Sequence, residues 1–322
     1  MKDDIVIPAW EVASSNVAIK IFNFFPSLLS SIYLSLILLY QVAWSYINVF
    51  GLKDQFFGWV VNFVHNGYFF EVATAAVVFF LLFIFVTPLA EGGLIALIDR
   101  TDRHGNSEST MGYGISRGLK HFLPVFEANN IMALFKLLSI ITFTLFLIRL
   151  MGVKYLSLIL TGIGIYFFVA MTINIVLAYT RFFIVLEGMK AYDAIVASAG
   201  MALDNLRITA KLYLTLLLVY VRTLLTVLVF ILLPFVLSAI FTYVTIASIK
   251  ILFLIILILL LVGFIVFISH LNSVLEIFVE TLWYRAYIDN KSRAVPASSD
   301  HHDDHGHDDR SGHNDHGHAD HH

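Results

Sequence analysis

The sequence predicts an all-α integral membrane protein with six transmembrane helices, and three observations predict it. Of the 322 residues, 59% are apolar and only 13% charged, whereas a soluble domain carries roughly 25% charged residues. Mean hydropathy is +0.85. Several runs also reach the about 20 mostly apolar residues that a helix needs to cross a hydrocarbon core. Cysteine is absent, so disulfides, thiolate metal sites and cysteine nucleophiles are excluded, and no basic footprint for nucleic acid occurs.

The spans follow from where charge is missing. Residues 24–49 lie inside a stretch with no charge between Lys20 and Lys53 and make the first span. Residues 72–90 are the second, bounded by Glu71 and Glu91, and residues 128–148, interrupted only by Lys136, are the third. A turn at Met151-Gly152-Val153-Lys154 leads into a charge-free fourth span at 155–180. The stretch 212–249 holds one charge, Arg222, and is too long for one straight crossing at about 1.5 Å per residue, so a kink is expected at Pro234. The sixth span, 251–273, is expected to continue as helix to Tyr287. This assigns 1–290 to the membrane domain, 291–299 to a linker and 300–322 to a tail. The start, Met1-Lys2-Asp3-Asp4, lacks the pattern of a cleaved signal peptide.

Lys and Arg set the orientation. Fourteen fall in the two termini and the loops on their side, against four on the opposite side. Positive charge marks the cytoplasmic face, so both termini are expected there.

The long loops on that face carry amphipathic patterns. Ile115, Leu119, Phe122, Leu123 and Phe126 share one helical face, and Ile195, Ala199, Ala202, Leu203 and Leu206 repeat the pattern 80 residues later. Val6, Trp10, Ala13 and Val17 make a partial version ahead of the first span. The even spans end alike, in Leu94-Ile95-Ala96-Leu97-Ile98-Asp99-Arg100 and Trp283-Tyr284-Arg285-Ala286-Tyr287-Ile288-Asp289. The pattern reads as three pseudo-repeated units of interfacial helix plus transmembrane hairpin, or else as the amphipathic sequence that any membrane loop places beside a span.

With Ala197-Ser198-Ala199-Gly200-Met201-Ala202 before a long span, and with Phe278-Val279-Glu280-Thr281-Leu282-Trp283-Tyr284-Arg285 near the end, roughly the first 290 residues resemble a group of bacterial membrane proteins. That group includes the membrane domain attached to some glycerophosphodiester phosphodiesterases and its stand-alone relatives. The resemblance implies a six-span helical fold in a bacterial inner membrane and contributes no catalytic residue.

Two candidate sites stand out. The tail concentrates nine of the 13 histidines, His301, His302, His305, His307, His313, His316, His318, His321 and His322, among seven aspartates, with Asp304-His305-Gly306-His307 repeated as Asp315-His316-Gly317-His318. Imidazole and carboxylate suit zinc or nickel. The alternative is a solvated tail whose metal affinity is incidental.

The second site lies inside the spans. Arg222, about 16 Å along the helix from Lys211 at 1.5 Å per residue, is placed to meet His270, Asn272 and Glu276 of the sixth span as a clasp or a solute path. Otherwise it snorkels to the interface. Glu91-Gly92-Gly93 reads as a helix terminus at the interface, and Gly162 and Gly164 as a site of close helix packing. No His-Glu-x-x-His or Gly-x-Ser-x-Gly motif occurs, so no enzyme is expected. The expected function is transport or regulated passage of a small solute or metal cation, with the lipid bilayer, a divalent metal and membrane proteins as partners. The competing expectation is a structural or assembly factor, or an anchor for a soluble enzyme.

The tail is directly testable. A peptide covering Asp300 to His322 should bind zinc at micromolar concentration by calorimetry, and lose affinity as pH falls through about 6.5, where imidazole takes up protons. Absence of heat at micromolar zinc would remove the metal role.

Overall fold

The computed structural model describes residues 7–105, 110–214, 216–217 and 247–294. The fifth span with Arg222 and Pro234, Val6 and the histidine tail lie outside them. The described residues are helical, without strands. In order they form α1 (Ile7–Ser15), α2 (Val17–Val49), α3 (Lys53–Val64), α4 (Phe69–His104), α5 (Met111–Lys120), α6 (Phe122–Ala133), α7 (Leu137–Met151), a 3-10 turn (Val153–Tyr155), α8 (Leu156–Val176), α9 (Thr180–Glu187), α10 (Ala191–Asp204), α11 (206–214) and α12 (Ala247–Ala294).

Four helical stretches are long and apolar enough to cross a membrane: Val17–Asn48, Phe69–His104, Val153–Glu187 and Val262–Arg293. The pair α6 and α7 makes a fifth if counted as one span bent by 44°. The expected straight third span is therefore broken, at Leu134 to Lys136. A break frees backbone carbonyls, which lipid cannot satisfy. The hydroxyl of Tyr166 donates to the Leu134 carbonyl at 2.9 Å, and the Asn174 amide to that of Phe135 at 2.8 Å.

Burial is lopsided along the spans. Leu39, Tyr46, Phe70, Val77, Phe80, Phe146, Leu158, Phe168 and Leu259 are exposed in the chain alone, as lipid-facing side chains must be. The core sits where α4, α9 and α12 converge: Leu94 to Ile98, Phe182 to Val185, and Leu282 to Tyr287 apart from Arg285. Phe182 stacks on Tyr287 at 5.6 Å, and Trp283 meets Tyr179 edge-on at 5.6 Å.

Three short helices pack on this core, α1, α5 and α10, each followed by a break and a further helix. The breaks fall at Asn16, His121 and Asn205. The Asn16 side chain accepts from the Ile19 N–H at 3.1 Å and caps α2, replacing a bond that a helix start leaves open.

The expected apolar stripes are the packing faces only in part: Ala13 and Ala202 are buried, but the large members are not. Ala9 and Ala13, Gly114 and Gly118, and Ala194, Ser198 and Ala202 point inward, while Trp10, Ile115, Leu119, Val196 and Leu203 point out. Small residues at four-residue spacing bring backbones together, which is how helices associate when lipid already solvates large apolar groups. At the closest crossing a Cβ on Gly118 would lie 2.2 Å from the Leu89 carbonyl oxygen, and one on Gly93 would lie 2.5 Å from the Gly114 oxygen.

Three further expectations change. Glu91-Gly92-Gly93 is mid-helix, because α4 runs on to His104. Among the described residues nothing lies within 4 Å of a Cβ added at Gly162 or Gly164, so no close packing there involves them. Helix α12 ends at Ala294, inside the segment assigned to the linker, where Lys291 pairs with Glu187 at 2.7 Å and Arg293 with Asp289 at 2.8 Å. Helix α3 has no counterpart in the expected scheme. It is short, and its Phe56, Trp59 and Phe63 rings stack on each other.

Gly118→Ala should destabilise the detergent-purified protein by about 1–3 kcal/mol through overpacking against an unyielding backbone atom, read as a lower thermal midpoint. Gly162→Ala should leave the midpoint unchanged or raise it, since alanine is favoured over glycine in a helix by about 1 kcal/mol. Equal responses would show that the α4–α5 crossing is not close.

Candidate functional site

A polar seam runs between α2 and α12. Asn23, Ser27 and Ser31 recur at four-residue intervals, so about 100° per residue brings all three to one face of α2. They are 1%, 2% and 5% exposed. Opposite them on α12 stand Asn272, Ser273, Glu276 and Glu280. The Asn272 amide donates to Ser31 Oγ at 3.2 Å. Glu276 Oε2 accepts from Asn23 Nδ2 at 3.0 Å and from Ser27 Oγ at 3.1 Å. Asn23 Nδ2 also reaches the Ser273 carbonyl at 3.2 Å.

One turn further along α12 the seam meets a buried ion cluster. Arg181 of α9 donates through Nη2 to Glu280 Oε1 at 2.6 Å, and its Nη1 lies 3.4 Å from Glu91 Oε2 on α4. Asn129 of α6 donates to the same Glu91 oxygen at 2.5 Å. Four helices thus share one network. Glu280 Oε2 is buried without a hydrogen-bond partner among the described residues. A lone ion in such surroundings is costly, and a guanidinium between two carboxylates offsets that cost only with well-formed bonds.

Two neighbouring sets of contacts fasten α12. Asn290 donates to the Tyr179 hydroxyl, which contacts Thr209 Oγ1, both at 3.0 Å. Tyr284 donates to Asp99 at 3.0 Å, Arg285 pairs with Asp102 at 2.5 Å, and Tyr287 donates to Glu187. At the α5–α6 break, His121 is buried with Nε2 lacking a partner among the described residues. Burial, with repulsion from Lys120 and Arg117, pushes its pKa below the usual histidine value.

No family model, characterised protein or solved structure matches this chain.

Of the expected polar cluster, Asn272 and Glu276 share the seam. His270 does not join them. It is exposed, because six residues of helix rotate it about 240° from Glu276. Arg222 and the nine tail histidines lie outside the described residues, as does any zinc or nickel they hold. Among the described residues no group of three or more His, Asp or Glu is arranged to hold a metal.

Sequence reasoning missed Asn23, Ser27, Asn129 and Arg181 as site residues, and weighed Glu91 as facing a cavity but favoured a helix terminus. The signals were present. Asn-x-x-x-Ser-x-x-x-Ser is a helical polar stripe, and glutamate stands three residues before each of the two matching span ends, Leu94 and Trp283.

Arg181→Leu should cost about 3–5 kcal/mol, because it strands two buried carboxylates. Adding Glu91→Gln and Glu280→Gln to it should restore much of the loss, measured as thermal midpoints in one detergent. A stable single variant would show that the cluster does not hold the helices together.

Proposed function

We propose that this is a non-enzymatic six-span protein of the bacterial cytoplasmic membrane, with both termini in the cytoplasm, that passes or regulates the passage of a small cation. The five described spans and the apolar 212–249 stretch supply the six crossings. The excess of Lys and Arg supplies the orientation. The short helix followed by a break at Asn16, His121 and Asn205 supports three related units, in keeping with the resemblance to the phosphodiesterase-linked membrane domain.

The observation that carries the reading is Glu276. It sits between α2 and α12 in a line of polar groups that reaches the Glu280–Arg181–Glu91 cluster. Ionisable groups within spans are rare because they are costly, and they mark ion and proton pathways. The line holds three carboxylates and one guanidinium, a balance that favours cations. The histidine tail, on the cytoplasmic side in this topology, would hold zinc or nickel where cations arrive or leave.

One observation favours the second reading, an assembly factor. Apolar side chains on α3, α4 and α8 are exposed, offering surface to lipids or to membrane-protein partners.

Reconstituted protein should dissipate an imposed cation gradient across liposomes, with the rate lowered at least about tenfold by Glu276→Gln, the order of effect expected where one carboxylate gates a path. The variant should keep the gel-filtration profile of the parent. Folded protein that moves no proton, alkali or divalent cation above protein-free liposomes would retire this reading in favour of the assembly factor.

A further inference from the structure

We infer that the occupant of the seam is a proton, held by Glu276 and exchanged along α12 toward Glu280. The inference rests on the proposed passage and names what passes.

It starts from the partners of the two carboxylates. They are four residues apart on one helix, hence about 6 Å along its axis, yet their surroundings differ. Glu280 Oε1 is bound by the Arg181 guanidinium, which Glu91 also engages. Glu276 has no cation among its bonds to the described residues. Both of its hydrogen bonds come from neutral donors, and both go to Oε2. The other charged groups on the elements packed around it are committed elsewhere. Lys20 of α2 donates to the Ser14 carbonyl. Lys136, in the α6–α7 bend, is exposed and acts on Glu91 and Glu280. Arg181 is shared between the two other carboxylates. Glu276 as an anion would therefore add negative charge beside Glu91 and Glu280 with no cation bonded to it among the described residues.

A buried carboxylate in that position neutralises or takes up a cation. The ligand set selects the proton. A metal ion needs several oxygen lone pairs directed at it, whereas Asn23 and Ser27 direct N–H and O–H hydrogens into the site. Those bonds satisfy Oε2 whether or not Oε1 carries a hydrogen, so the carboxyl can gain or lose a proton without breaking them. A second observation points to an exchange partner. Glu280 Oε2 is buried and has no hydrogen-bond partner among the described residues, an acceptor open to a proton passed from one turn away. The transfer is balanced: Glu276 loses H⁺ and becomes the anion, and Glu280 gains it and becomes neutral.

Hydrophobic carbodiimides attack only the protonated carboxyl and provide the test. Full-length protein in lipid vesicles is treated with dicyclohexylcarbodiimide across acid to alkaline pH, and modified peptides are read by mass spectrometry. Glu276 should be modified, by at least about tenfold more at the acid end than at the alkaline end, and Glu91, bound to Arg181, should not. Zinc or sodium at fixed pH should not protect Glu276. A Glu276 left unmodified at every pH, modified to the same extent at all pH values, or protected by either metal ion would overturn the proton assignment. The two proposals fail separately: cation flux with unmodified Glu276 removes the proton and keeps the passage, while pH-dependent modification without flux keeps the proton site and removes the passage.

Discussion

A guanidinium shared by two buried carboxylates stands where three long helices meet. Arg181 reaches Glu91 on α4 and Glu280 on α12 from α9, and Asn129 ties in α6. Because the attraction compensates desolvation only while every partner is present, the network constrains depth as well as contact. None of the three helices can slide along its axis without stranding a charge. The aromatic core of Tyr179, Phe182, Trp283 and Tyr287 and the outer bonds from Tyr284 and Tyr287 are then laid down in a register that the cluster sets.

The short helices add a second constraint of a different kind. In water, α5 would turn Ile115 and Leu119 inward. Here they face out and Gly114 and Gly118 face in, because large apolar groups gain nothing by leaving lipid for protein, while backbone approach adds dispersion contacts and tight fit. The inversion explains why Gly118 abuts Leu89, while Gly162 meets none of the described residues. Glycine by itself does not mark a contact. Its position relative to a neighbouring helix does.

Much of the helical frame was legible, since uncharged runs report span centres directly. Their limits were less so. A charge reads as the end of a span only if it must face water, and Glu91 instead finds Arg181 and Asn129 inside, so α4 continues for 13 residues beyond it to His104. For the same reason Arg181 read as a loop cation that helps set orientation, though it is the centre of the ion cluster. The bend at Leu134 to Lys136 was hidden because its support comes from Tyr166 and Asn174 on another helix. Within the candidate site, rotation decided what spacing alone did not: Asn272 lies about 40° from Glu276 around α12 and shares its face, and His270 lies on another.

The seam and the cluster differ in what they permit. Along α2 the seam's cross-helix bonds end at Ser31, since Ser35 turns back to the Ser31 carbonyl at 2.8 Å and Ser269 on α12 does the same to Ile265 at 2.6 Å. From that end to Glu276 every bridging group is neutral, and beyond it the bridges are ionic apart from Asn129. The boundary falls between two glutamates on a single helix. A group on the neutral side can change its charge without breaking an ion pair. A group on the charged side does so only by giving up one of the two ion pairs of Arg181, so a proton on Glu280 is short-lived while Glu91 keeps the guanidinium paired. Division of labour follows from that difference: Glu91 and Glu280 hold the helices through Arg181, while Glu276 is the group that can rest neutral, so one short stretch of α12 carries both kinds of carboxylate.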